Sequence, residues 1–93
     1  KGDIIGKGDI GVQTEQCIKK IANALEKMGG TLDDVVKVTV FVKEMDRLEE
    51  IHKIRLKYFK EPYPASTLVQ ITDFVSPDIL IEIEATAVIK NNQ

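Results

Sequence analysis

The chain has 93 residues and a mass of 10.4 kDa, enough for one small core, and it is expected to form a single domain over residues 1–93. Hydrophobic residues make up 43% and charged residues 30%, which excludes intrinsic disorder and low-complexity scaffolds. Thirteen Lys and Arg against fifteen Asp and Glu give a net charge of −2, unlike the footprint of a duplex-binding protein. No apolar run is long enough to span a membrane. One cysteine and one histidine cannot make an intramolecular disulfide or a zinc site, so neither metal nor cofactor is expected. A reducing, cytoplasmic setting is compatible with this, and no signal-peptide pattern stands at the start.

In chain order, Lys1–Gly8 is glycine-rich and reads as a loop or the end of a hairpin. Asp9 is a good helix N-cap, since its carboxylate can accept from the orphan amides of the next turn. Cys17, Ile18, Ile21, Ala22, Leu25 and Met28 then recur at spacings of three and four, which predicts an amphipathic helix over 10–28. Gly29-Gly30 ends it. Gln13 and Thr14, in its first turns, are placed to hydrogen-bond a neighbouring loop, and Cys17 is read as core packing rather than a reactive thiol.

Thr31 and Asp34 predict a short capping turn. The β-branched run 35–42 predicts a strand, with Val36, Val38, Val40 and Val42 on one face and Lys37, Thr39 and Phe41 on the other. Asp46 with Glu49 looks like a capping box for a second helix carrying Leu48, Ile51, Ile54, Tyr58 and Phe59, stopped by Pro62 and Pro64. Residues 65–72 and 80–89 predict two further strands separated by a loop, and Asn91-Asn92-Gln93 a frayed polar tail. The order is helix, strand, helix, strand, strand, with both helices on the valine and isoleucine face. The other face is assigned Thr39, Phe41, Leu68, Leu80, Glu82 and Val88. It is too apolar for water and too polar for a dry core, which predicts an oligomer.

Glu82 and Glu84 project from the same side of the last strand, and paired carboxylates perform acid–base work when their environments differ; a polar rim is the plainer reading. Ser66 and Thr67 open a strand, where hydroxyls usually satisfy backbone groups. His52 and Arg55 lie three apart on the second helix, as on any solvated surface. Gly6, Gly8 and Gly11 match no phosphate loop.

Several segments taken together resemble one family. They are Gly8-Asp9-Ile10 with Gln13-Thr14, Gly29-Gly30, Asp33 to Val42 with Met45, Tyr58-Phe59, Pro64-Ala65-Ser66-Thr67-Leu68-Val69 and Ile81-Glu82-Ile83-Glu84-Ala85. Their order and spacing are similar to those of the Rid proteins, also called the YjgF or L-PSP endoribonuclease family, over residues 8–88. The resemblance implies a chorismate-mutase-like α+β fold, a mixed sheet with two helices on one face, assembled as a homotrimer with ligand clefts between subunits. Family members carry about a hairpin more at the N-terminus, so the resemblance also implies that this hairpin is missing from a chain beginning at Lys1.

The best-understood family activity is hydrolysis of reactive imines and enamines to 2-keto acids and ammonia, with an arginine clamping the substrate carboxylate. In this chain the arginine position falls at Ser66, a cleft cysteine at Leu68 and a helix asparagine at His52; Glu82 keeps the carboxylate thought to position water. Glu82 is therefore the implied catalytic residue. Ser66, Thr67, Leu68, His52 and Arg55 are the implied substrate-binding set, with Arg55 a substitute clamp from another direction. The expected ligand is a small carboxylate or imine, and neither a membrane nor a nucleic acid is an expected partner. The leading expectation is a deaminase-like hydrolase whose substrate range is altered or lost with the arginine. The alternative is a non-catalytic metabolite-binding or chaperone-like trimer, and an endoribonuclease ranks third because the chain is acidic and poor in aromatics.

Overall fold

A computed structural model describes residues 6–90. Helix α1 spans Ile10–Lys27, strand β1 Val35–Val42, helix α2 Leu48–Tyr58, strand β2 Ala65–Gln70 and strand β3 Ile81–Ala87, with a single 3-10 turn at Leu32–Asp34 before β1. The sheet order is β2-β1-β3, with β1 parallel to β2 and antiparallel to β3. The mixed sheet and paired helices match the expected α+β class.

Local chemistry accounts for most boundaries. The Asp9 carboxylate accepts from the Val12 amide and caps α1. At the other end Gly29 takes a φ of +85°, while Gly30 donates to the Leu25 carbonyl and Gly29 to that of Glu26, the Schellman pattern that only glycine enters without strain. Thr31 and Asp34 form the expected reciprocal capping box. Lys1–Ile5 and Asn91–Gln93 lie outside the described residues, so the readings of a loop there and of a frayed tail do too.

The core is a single cluster of Ile10, Ile18, Leu25, Val35, Val38, Val40, Val42, Ile51, Phe59 and Ile81. It fills the space between the two helices and one face of the sheet. Tyr58 of α2 donates a hydrogen bond to the Glu15 carboxylate of α1 and ties the helices together. That bond lowers the Glu15 pKa and raises that of Tyr58. The carboxylate contribution is full above the ordinary Glu pKa and is lost as pH falls through the depressed value. The phenol contribution is full below the ordinary Tyr pKa and is lost as pH rises through the raised one. Tyr58→Phe is therefore expected to lower Tm by a few degrees near pH 7, with the difference disappearing in acid. A Tm difference that persists below the Glu range would assign the loss to packing instead.

Five expectations are corrected. Val36 does not join the buried valine face. Val35 pairs with Ala87 and Lys37 with Thr86, so Val36 is the extra residue of a β-bulge; it is 49% exposed while Val35 is buried. Leu68 does not lie on the open face. It is level with Val40 in the parallel ladder, so it projects toward the helices and packs on the core, and Thr67 and Val69 take the open face. The Asp46 capping box does not form. Arg47 occupies the N-cap without a side-chain cap bond and pairs instead with Glu50 at 3.0 Å. Met28, assigned to the apolar stripe of α1, is 64% exposed because it is already the C-cap residue, where the chain leaves the helix. Strands β2 and β3 are also shorter than predicted, ending at Gln70 and running only over 81–87.

Candidate functional site

Register determines which implied site residues can meet. Ser66 is level with Val38 and Leu68 with Val40, on the helix side of the sheet. Glu82 is level with Phe41 and Glu84 with Thr39, on the open side, and Thr67 joins them there through its own pairing with Thr39. Within one chain, then, Glu82 and Thr67 lie on one face of the sheet and Ser66, Leu68 and the helices on the other. The common projection of Glu82 and Glu84, expected from their spacing, is present, and both side chains are exposed.

On the helix side, α2 brings His52 and Arg55 to the outer edge of β2. The Arg55 guanidinium donates from Nη2 to Ser66 Oγ at 2.7 Å. His52, Arg55 and Ser66 line an open cleft of about 200 Å³ with Leu56, Phe59, Tyr63 and Pro64. Phe59 is buried and makes an apolar floor, while Tyr63 is half exposed at the rim. Burial pushes the Arg55 pKa down, yet a guanidinium stays protonated at any physiological pH. Among the described residues no carboxylate pairs with Arg55; the ion pairs are Lys7–Asp78, Lys43–Asp73 and Arg47–Glu50. Three of the implied substrate-binding residues therefore converge, and Leu68 sits behind them against the core.

The loop between β2 and β3 is held to the start of α1 by Gln13. Its amide donates to the carbonyls of Asp78 at 2.9 Å and Gly6 at 3.1 Å, and its oxygen accepts from the Leu80 amide at 2.8 Å. This is the neighbouring-loop contact expected of Gln13, and it fixes the entry to β3 just ahead of Glu82. Thr14 instead donates to the Ile10 carbonyl of its own helix. Cys17 packs beside β3 and donates weakly to the Ile81 carbonyl at 3.7 Å; burial pushes its thiol pKa up, consistent with a packing role.

A larger groove of about 360 Å³ runs between α1 and β3, lined by Ile21, Leu25, Met28, Ala85 and Ile89 among others, with no titratable side chain. Among the described residues no group of His, Cys, Asp and Glu is arranged to hold a metal ion, and no helix is long and apolar enough to cross a membrane.

The family profile described as Endoribonuclease L-PSP matches residues 1–89. A RutC family protein of Pyrococcus horikoshii is 42% identical over 86 residues, covering 92% of this chain and 67% of its own. A protein of Acinetobacter baylyi named 3-aminoacrylate deaminase RutC is 34% identical over 85 residues, covering 91% of this chain and 67% of its own. The crystal structure of a Rid-family protein, YyfA from Yersinia pestis, superposes with a TM-score of 0.87 at 32% identity, over 95% of this chain and 69% of that one. The chain thus spans about two thirds of the length of the curated relatives it matches. With the mixed sheet and both helices shared as well as the sequence, the chain belongs to the Endoribonuclease L-PSP family, the group also known as the Rid or YjgF proteins.

Proposed function

We propose that the protein is a small-molecule hydrolase of imines and enamines, acting in clefts between copies of the chain arranged as a homotrimer. The observation that carries this reading is the convergence of Arg55, Ser66 and His52 in one open cleft at the outer edge of β2, a strand paired only on its β1 side among the described residues. Family membership supports it, as does a deaminase of an enamine acid among the relatives. The open face, bearing Phe41 and Val69, supplies a surface for association.

In this reading a water hydrogen-bonded to Glu82 adds to the carbon of the protonated C=N group. The carboxylate takes the water's proton and passes it to nitrogen. The C–N bond then breaks as the carbinolamine hydroxyl gives its proton to the carboxylate, leaving a carbonyl compound and ammonia, which departs with that proton as ammonium. Since Glu82 lies across the sheet from the cleft of its own chain, the carboxylate serving a given cleft comes from a neighbouring copy.

The test is release of ammonia from 2-iminobutanoate, generated in place by an amino-acid oxidase, with the wild type and Ser66→Arg side by side. Wild-type acceleration over spontaneous decay supports the hydrolase. A silent wild type with an active Ser66→Arg means that the cleft is intact and the natural substrate is a different one. If both are silent while a ligand still raises Tm, the protein is a binding module, and the hydrolase reading is overturned.

A further inference from the structure

Arg55 and Glu82 each lack an ion-pair partner among the described residues, and they stand on opposite sides of the sheet. The Arg55 guanidinium is half-buried at the outer edge of β2, where it donates to the neutral Ser66 Oγ at 2.7 Å. No carboxylate lines its cleft. The Glu82 carboxylate is exposed on the open face. It is level with Phe41, which is level in turn with Val69, so it ends an apolar row. Glu84 is placed differently: its row is Thr39 and Thr67, and Lys37 stands at the next pair along the same face. Lys43, the following cation along β1, is taken by Asp73 at 3.4 Å. Where a neighbouring copy covers the apolar row, the Glu82 carboxylate is covered with it and needs a cation.

From this placement we infer that Arg55 of one copy pairs with Glu82 of the next, and that this ion pair joins the copies at each cleft. The inference rests on the proposed homotrimer with clefts between copies, to which it adds a specific contact. Charge complementarity selects a second copy of this chain as the partner. Arg55 is the single permanent cation among the residues lining the cleft, and Glu82 brings the single charge that balances it. Ser66 holds one donor of the planar fork, and the other donors stay free for a carboxylate. The carboxylate has two oxygens, so one can take the guanidinium while the other remains open to water. The two faces also decide the symmetry. The surface that gives the guanidinium is not the surface that gives the carboxylate, so the contact is heterologous. Such a contact closes as a ring with one pair at every interface, whereas a two-fold dimer would pair each surface with itself.

Sedimentation velocity of the full chain over a dilution series tests this, with ammonia release from 2-iminobutanoate measured in parallel. Arg55→Glu and Glu82→Arg each bring like charges together, and each is expected to raise the concentration of half-assembly about tenfold or more. Arg55→Glu combined with Glu82→Arg restores opposite charges and is expected to return assembly close to that of the wild type. Separate structural roles of the two residues would not produce that recovery. If a reversal unfolds the chain, as seen by circular dichroism, Arg55→Met, Glu82→Gln and their combination carry the same comparison. The combination is then expected to cost no more than Arg55→Met alone, because the pair is already broken. Single reversals that assemble like the wild type overturn the inference, as does a double exchange no better than either single. A wild type that stays monomeric or forms a two-fold dimer overturns the homotrimer and the inference together. A wild-type trimer indifferent to both residues overturns the inference alone. Assembly that follows the charge pattern without turnover leaves the pairing standing and removes the hydrolase.

Discussion

Gln13→Leu is expected to destabilise the protein by about 2–4 kcal/mol, a large share of what a domain of this size has to lose. The residue is 5% exposed and its amide makes three hydrogen bonds, to the carbonyls of Gly6 and Asp78 and from the Leu80 amide. Leucine fills the space but leaves the Asp78 carbonyl and the Leu80 amide without partners, while the Gly6 carbonyl keeps only its bond from the Asp9 amide. A half-buried peptide group that loses its partner costs more than the bond itself was worth. In a chain this short the loss corresponds to a Tm drop of about 10 °C or more. Gln13→Glu separates the contributions. It keeps the acceptor for Leu80 and loses both donated bonds, so it is expected to fall between wild type and Gln13→Leu. A Gln13→Leu protein that melts with the wild type would show that water satisfies these groups and that the loop is held elsewhere. Because Leu80 precedes Ile81 and Glu82, the variant is also expected to disturb the site more than the core. Hydrogen exchange should rise first over residues 76–80, ahead of the amides of β1.

Gln13 was legible in the sequence because a polar amide in the first turns of an otherwise apolar helix stripe must find partners, and the nearest are on a loop. The helices and the order of strands were legible for similar reasons. Apolar spacing, Asp9, Gly29-Gly30 and the two prolines each carry a local physical signal. Glu82 and Phe41 were placed on the same face because alternation in β1 and β3 is strong enough to set their phase. Leu68 was misplaced because Ala65-Ser66-Thr67-Leu68-Val69-Gln70 has no clear alternation, and only pairing with β1 decides which side each residue takes. Val36 was misplaced for a related reason: a bulge inserts one residue and inverts the phase behind it without altering the valine run. The Arg55–Ser66 contact was hinted at by the family position of Ser66. Whether α2 reached β2 depended on helix packing, which no local pattern encodes. The separation of Glu82 from Ser66 across the sheet was hidden by the same uncertainty of phase in β2.

That separation leads to the prediction with the largest effect on activity. Glu82→Gln keeps the size of the side chain and removes the proton acceptor, so it is expected to slow imine hydrolysis about a hundredfold or more. Ser66→Trp is expected to be equally inactive for a different reason, since it fills the cleft beneath Arg55. Each change is confined to one side of the sheet. If the cleft of one chain is served by the carboxylate of the next, the two inactive proteins repair each other when unfolded and refolded together in equal amounts. A working cleft then needs an unblocked Ser66 side from one chain and an intact Glu82 from its neighbour. Each is present half of the time, so the mixture is expected to recover about a quarter of the wild-type rate. A mixture as inactive as its parents would overturn this arrangement. Either Glu82 would then act within its own chain, which the register of β1 with β2 and β3 opposes, or the water would be held by another group. Recovery would instead assign the two halves of the site to different copies and make assembly a condition of activity. Dilution below the dissociation constant of the assembly would then abolish turnover while leaving each chain folded, and the concentration at which the rate is halved would measure the strength of the interface.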